Sequence, residues 1–234
     1  MSGFPVPKTV FFPHPLIADD DGFLGYGGDL HPQTLIMAYQ FGIFPWYDKP
    51  PILWWAPKQR FIIDLAAVHI PKSMRRYLNK PIYTFTVDQN FESVIDQCQT
   101  IVRPNQSGTW ITEEMKSAYI TLHQMGIAHS VEIWLDDEMV GGLYGLGIGQ
   151  IFSGESMFSL ANDASKFAVL VLAKILTSKG YKTIDCQQHS NHMARLGGQH
   201  IDNIDYHKKI RANLKCRINP GLWRVDQRHY HHLP

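Results

Sequence analysis

The chain has little that would mark it for an unusual environment. Cysteine is scarce: Cys98, Cys186 and Cys216 are three in 234 residues, odd in number and widely spaced. That argues against a disulfide framework or a thiolate zinc site, and for a reducing compartment. No apolar run approaches the roughly 18 residues that span a bilayer, and the N-terminus lacks the charged-then-apolar pattern of a secretion signal. The cytoplasm is therefore the expected location. Charge is nearly balanced, 22 Lys and Arg against 21 Asp and Glu. No chain-wide positive field advertises nucleic acid, so any such contact must come from a local patch. Repeats and low-complexity segments are missing too. What is present is a foldable composition, 44% hydrophobic and 18% charged, in a length that suits one large domain or a small and a medium one.

Residues 1–60 are dense in Pro, Gly and aromatic rings, and read as a small loop-rich N-terminal domain ahead of a larger one over 61–234. One helix is expected there, Pro32 to Phe41, with Pro at its first position and Gly42 past its end. Gly25-Tyr26-Gly27-Gly28 has no preceding strand and no following Lys-Ser/Thr, and Asp29 would repel a phosphate, so it reads as turns. Trp46 follows Pro45 in an expected loop, where a ring makes a platform for a flat base.

Beyond Phe61 the pattern becomes regular. Lys72, Arg75, Arg76 and Asn79 fall on one face of a short helix, and no acidic residue occurs between Leu65 and Val87. That face is either solvated or a contact for a phosphate backbone. Asp88 is expected to cap a helix burying Phe91, Val94, Ile95 and Cys98, and Thr112 one burying Met115, Ala118, Tyr119 and Leu122. A hairpin follows, whose return strand puts Gly145, Gly147 and Gly149 on one face with Leu143. Either something approaches that backbone closely, or the glycines mark a bulge and a turn. Glu155 ends the next strand, Asn162 or Asp163 caps a long apolar helix, and Thr183 to Gln187 is a strand. On an extended backbone Asp185 and Gln187 leave one face, toward a surface or pocket, and Cys186 the other. A short helix and a basic helical tail from Tyr206 to Arg217 complete the chain. His189, His192, His229, His231 and His232 lack companion carboxylates or thiolates in sequence, so no metal is expected.

The order strand, helices, three antiparallel strands, long helix, strand, helix describes an α+β mixed sheet flanked by helices. It matches the acyl-CoA N-acyltransferase (GNAT) topology. A coenzyme A-dependent N-acyltransferase is one reading of that order. However, Met157 to Asn162 contains no glycine where those enzymes grip the pyrophosphate, which counts against that donor. A non-catalytic RNA-binding module is another reading, using the basic helix and the aromatic loop.

Seven blocks occur in one order and spacing: Gly27-Gly28-Asp29-Leu30, Gly42-Ile43-Phe44-Pro45-Trp46, Leu53-Trp54-Trp55-Ala56-Pro57, Gly108-Thr109-Trp110-Ile111-Thr112, Gly141-Gly142-Leu143-Tyr144-Gly145, Gly154-Glu155-Ser156-Met157-Phe158-Ser159 and Ile184-Asp185-Cys186-Gln187. In these the chain resembles the leucyl/phenylalanyl-tRNA–protein transferases, from about Phe12 to Trp223. The resemblance implies transfer of Leu or Phe from aminoacyl-tRNA to the α-amino group of a protein beginning with Arg or Lys, marking it for degradation. It implies a side-chain pocket of Leu143, Phe152, Met157, Val169 and Ile184, with Glu155 on the free α-amino group. It also implies Trp46 and Trp110 about the terminal adenosine, and Lys72, Arg75 and Arg76 on acceptor-stem phosphates. Asp185 and Gln187 would be catalytic. A neutral carboxamide is not a base, so Gln187 reads as an orienting acceptor, and the proton goes to Asp185, water or a ribose hydroxyl. The ester carries the energy, so no ATP, metal or other cofactor is needed, and the protein is expected to be a monomer. This reading requires Glu155 and Gln187 to lie within reach of one small ligand beside an open cleft.

Overall fold

Two sheets carry the fold in the computed structural model, which describes residues 4–6, 11–101, 109–213 and 221–230. Gly108, Lys215, Cys216, Arg217, His231 and His232 lie outside the described residues. The first sheet belongs to the start of the chain: β1 (Phe4–Val6), β2 (Phe23–Gly27), then helix α1 (Pro32–Gln40), β3 (Phe44–Pro45) and β4 (Leu53–Trp55), with strand order β1-β2-β4-β3. His31 caps α1, Pro32 opens it, and Gly42 beyond its end is left-handed, as that position favours.

The second sheet contains β5 (Gln59–Asp64), β6 (Thr84–Val87), β7 (Ala128–Leu135), β8 (Glu138–Ile148), β9 (Ile151–Ser159), β10 (Thr183–Asp185), β11 (Gln199–Asp202) and β12 (Val225–Arg228). Their order is β11-β5-β10-β9-β8-β7-β6-β12. Helices α2 (Arg75–Asn79), α3 (Phe91–Thr100), α4 (Glu113–Gln124), α5 (Ala164–Ser178), α6 (Asn191–Ala194) and α7 (Asn203–Asn213) cover it. This is a mixed α+β sheet flanked by helices. β7, β8 and β9 form an antiparallel meander, while β9 and β10 run parallel because α5 carries the chain back between them.

α5 is apolar on most sides because it is buried along most of its length from Ala164 to Leu176, with Lys166 and Lys174 as its partly exposed charged positions. It packs with Phe61, Ile63, Phe85, Val131 and Leu143. A second core holds the expected stripes, Phe91, Val94, Ile95 and Cys98 of α3 and Met115, Ala118, Tyr119 and Leu122 of α4. Leu24, Phe44 and Trp54 of the N-terminal sheet belong to that same core. Among the described residues no helix is long and apolar enough to cross a membrane.

Some local expectations are corrected. Asp88 does not cap α3: it is left-handed and buried, and its carboxylate accepts from the backbone N–H groups of Ser130 and Trp223. Asp163 stands at the α5 N-cap position without making the cap bond, and pairs instead with Lys166. In both cases a charged partner or a buried N–H outbids the free helix end. The strand holding Glu155 does not end there but continues to Ser159. β11 and β12, polar and short, carry no alternation that sequence reading could find.

Candidate active site

The site lies where the parallel pair β9–β10 comes apart. β10 pairs with β9 only as far as Asp185 opposite Ser153, and β9 continues alone along β8. The next turn of β9 carries a bulge: Gly145 faces Gly154 and Tyr144 faces Ser156, so Glu155 has no partner on β8. A bulge re-aims one side chain, and this one sends the Glu155 carboxylate toward the end of β10.

What fixes the other wall is buried beneath it. Asp185 is wholly buried and its oxygens are occupied. Oδ1 accepts from Arg60 Nε at 2.8 Å and from the Gln187 backbone N–H at 2.9 Å. Oδ2 accepts from Arg60 Nη2 at 2.6 Å and from the Tyr206 hydroxyl at 2.6 Å. The Arg60 guanidinium lies between the Phe44 and Tyr206 rings, 4.8 and 4.9 Å from their centroids. Gln187, held by this carboxylate, takes a left-handed φ of +63°, a conformation that costs a non-glycine residue about 1 kcal/mol or more. The extended geometry expected for Asp185-Cys186-Gln187 therefore breaks at its last residue. Asp185 faces the protein interior, whereas Cys186 and Gln187 line the cavity. Burial raises the Cys186 thiol well above its ordinary value, so it is a neutral wall.

Gln187 Nε2 donates to Glu155 Oε1 at 2.7 Å, and the Tyr119 hydroxyl to Glu155 Oε2 at 2.9 Å. The Tyr39 hydroxyl lies 2.6 Å from that of Tyr119. Burial pushes the Glu155 carboxyl up to about 7, while the donors Tyr39, Tyr119 and Gln187 pull it back. Both phenols are raised well above 10, by burial first and then by the Glu155 charge, so they remain donors.

Two adjoining cavities meet at this network. The first, about 250 Å³, has an apolar floor that includes Leu143, Phe152, Met157, Val169 and Ile184, with Trp110, Glu155 and Gln187 at its polar end. The second, about 300 Å³, lies between Phe44, Pro45 and Trp46 on one side and Gln188, His189 and Ser190 on the other. Trp110, Glu155 and Gln187 line both. The structure thus gathers the expected residues of the pocket, both tryptophans, Glu155 and Gln187. Lys72, Arg75 and Arg76 are exposed on and just before α2 and line neither cavity. The glycine face of β8 is filled by the protein itself: a Cβ on Gly145 would meet the Phe152 ring at 2.6 Å, and one on Gly147 the Tyr181 hydroxyl at 2.4 Å. Among the described residues, no group of three or more His, Cys, Asp or Glu side chains is placed to hold a metal.

Sequence reasoning missed Arg60, Tyr206, Tyr119 and Tyr39. The two members of the buried ion pair are 125 positions apart, and nothing near Arg60 signals a partner. Tyr119 was legible only as one of four core residues on α4.

Comparison with known proteins assigns the chain's family. The leucyl/phenylalanyl-tRNA protein transferase family model matches residues 62–211, and the model of that family's N-terminal domain matches 28–58. The leucyl/phenylalanyl-tRNA--protein transferase of Anaeromyxobacter dehalogenans (strain 2CP-C) is 43% identical over 95% of this chain and 96% of its own. That of Flavobacterium johnsoniae is 48% identical over 85% and 94%, and that of Thermodesulfovibrio yellowstonii 48% over 97% and 93%. Among solved structures, L-PGS from Bacillus licheniformis aligns with a TM-score of 0.43 and 14% identity, over 73% of this chain and 55% of that one, too loosely to carry an argument. Likeness to the curated relatives at this identity, over most of the length of both chains, together with the family-model match over residues 62–211, makes the chain a member of the leucyl/phenylalanyl-tRNA protein transferase family.

Proposed function

We propose that the protein is an aminoacyltransferase that moves Leu or Phe from aminoacyl-tRNA to the α-amino group of a protein beginning with Arg or Lys, which marks that protein for degradation. The observation that carries this reading is the 2.7 Å contact between Gln187 and Glu155 at the mouth shared by two cavities. One small ligand can touch both groups while its side chain enters the apolar floor. Met157 and Leu143 give that floor a form that suits an unbranched Cβ of either Leu or Phe. Glu155 holds the donor's α-ammonium, and Trp46 and Trp110 face the terminal adenosine across the second cavity.

Because Gln187 Nε2 is directed at Glu155, its Oε1 is the end available to accept from the incoming amine. The amine nitrogen forms a bond to the ester carbonyl carbon, the ester C–O bond breaks, and the ribose oxygen leaves with a proton. Asp185 has both oxygens occupied by Arg60, Tyr206 and the Gln187 N–H. Its role is to place Gln187, and the amine's proton passes to water or the ribose hydroxyl. The protein is read as acting as a monomer on a cytoplasmic substrate. The fold is read as GNAT-like, with β9 and β10 parting at their carboxyl ends. A coenzyme A donor is disfavoured by the glycine-free Met157–Asn162 stretch and by the family.

The test is transfer of labelled Phe from Phe-tRNA to an Arg-starting peptide without ATP. Gln187→Ala should lower the rate by about 100-fold, the scale of losing one orienting group, and RNase treatment should abolish transfer. A folded wild type that leaves the peptide unlabelled overturns the reading.

A further inference from the structure

The glycine face of β8 runs from the open cavity into the closed interior. Leu143 lines the cavity, and two positions on, Gly145 lies against the Phe152 ring. Two further, Gly147 lies against the Tyr181 hydroxyl, with Trp223 Cζ2 3.4 Å from where a Cβ would stand. Phe152 is wholly buried on β9, in register with Gly147 of β8 and Ile184 of β10. It lines the apolar floor, whereas Tyr181 and Trp223 line neither cavity. The Phe152 ring thus separates the cavity from a second aromatic group behind it. Trp223 lies 6.1 Å from Phe152, centroid to centroid, with planes at 42°, and 5.6 Å from Tyr181 at 72°. Aromatic rings attract at such separations. Trp223 itself stands outside any helix or strand and is half-buried. Its backbone N–H donates to Asp88 Oδ2 at 2.6 Å, and the Gly221 N–H donates to the Gly126 carbonyl at 3.1 Å. Its ring stacks on His129 at 3.6 Å and 10°, and His129 Nδ1 lies 2.8 Å from the same Asp88 oxygen. One buried carboxylate therefore fixes both the segment and the imidazole on which its ring rests, a use for Asp88 that no helix cap requires.

We infer that Trp223 is a positioning residue for donor selection: it props Phe152 from behind and so fixes the depth of the amino-acid pocket, and with it the balance between Leu and Phe. The inference rests on the transferase reading and adds the element that sets its side-chain preference. The reason is packing. A ring in a close-packed interior keeps its place only while the space behind it is filled. Val169 and Leu172 on α5 and Ile184 on β10 are cavity walls held by a helix and a strand. The support of Phe152 instead comes from a segment fixed by two N–H donors and one ring stack. A shorter side chain at position 223 leaves a void into which the Phe152 ring can retreat. The pocket then lengthens, which favours the larger donor side chain and loosens the fit of the smaller one.

The experiment measures kcat and KM for transfer of Phe and of Leu from their tRNAs to an Arg-starting peptide, in the wild type, Trp223→Leu and Trp223→Phe. Trp223→Leu should raise the Phe-to-Leu ratio of kcat/KM by about tenfold, the low end of what one methylene decides in an apolar pocket. The change should fall on KM, because the pocket grips the side chain equally before and during the reaction. Trp223→Phe keeps a ring and should move the ratio the same way, but less far. In a Phe152→Leu background Trp223→Leu should shift the ratio no further, since the ring it acts through is gone. An unchanged ratio in both variants overturns the inference. So does an equal loss with both donors, which makes Trp223 merely structural, and so does a shift that persists in full with Phe152→Leu. If Trp223→Leu does not fold, Trp223→Phe decides. A wild type that transfers neither residue sinks the transferase reading. Binding of non-transferable amide analogues of the Phe and Leu donors then decides the prop: their affinity ratio should still shift toward Phe in Trp223→Phe, and an unchanged ratio overturns it.

Discussion

Asp185 and Glu155 are both carboxylates beside Gln187, but they are held in opposite ways. Asp185 sits in a buried, fully hydrogen-bonded ion pair with Arg60. Removing one partner leaves the other charge buried and alone, which costs about 3–5 kcal/mol. Asp185→Asn and Arg60→Met should each destabilise by that order, and the double variant by clearly less than the sum, as read by denaturant unfolding. Additive losses would mean the pair does not couple. Glu155 instead lies at the cavity mouth with its carboxyl at about 7 against 4.5 for an ordinary glutamate. A carboxyl raised by folding contributes stability that is full below pH 4.5 and is lost as pH rises through about 7. Glu155→Gln keeps the uncharged form, so its melting temperature should gain on the wild type between pH 4.5 and 7. Donor binding runs the other way, because the ammonium pairs with the ionised acid. The KM for a Phe-adenosine donor should fall as pH rises toward 7, and in Glu155→Gln that dependence should flatten.

Strands β8 and β9 build the cavity floor by close backbone packing at one place and openness at another. A Cβ on Gly145 would come within 2.2 Å of the Ser153 carbonyl oxygen, and that atom is backbone and cannot swing away. At Gly154, which lines the cavity, an added Cβ would meet only the Asp185 carbonyl oxygen, at 3.7 Å. Gly145→Ala should destabilise by about 1–3 kcal/mol and displace Phe152 from the floor, whereas Gly154→Ala should fold with near-native stability. Urea unfolding of the two variants compares them directly, and similar midpoints would show that the bulge tolerates a side chain at Gly145. The same bulge explains why Glu155 leaves the alternation of its strand.

Across the whole molecule, the N-terminal sheet and the large sheet meet in one hydrophobic core, and Tyr39 of α1 reaches the Glu155 network through Tyr119. A chain starting at Gln59 would lose Leu24, Phe44 and Trp54 from the core they share with α3 and α4, and Arg60 would lose the Phe44 ring above it. Such a chain should lack a cooperative thermal transition by circular dichroism. A sharp melt with native-like helix content would show instead that the larger unit folds alone.

By itself the sequence determined whatever repeats with a short period or stands in a local block. The stripes of α3 and α4, the largely apolar α5 and the cap of α4 at Thr112 follow from spacing, because neighbours in sequence impose them, and the side chains of the apolar floor from motif resemblance. Tertiary structure alone decided the rest. Asp185 is turned inward because Arg60 and Tyr206, distant in sequence, neutralise and saturate it; Gln187 is left-handed because that carboxylate holds its N–H; Glu155 points into the mouth because one strand of a pair carries an extra residue. Each of these depends on groups brought together only when the chain closes on itself, and no local pattern of residues encodes such a meeting.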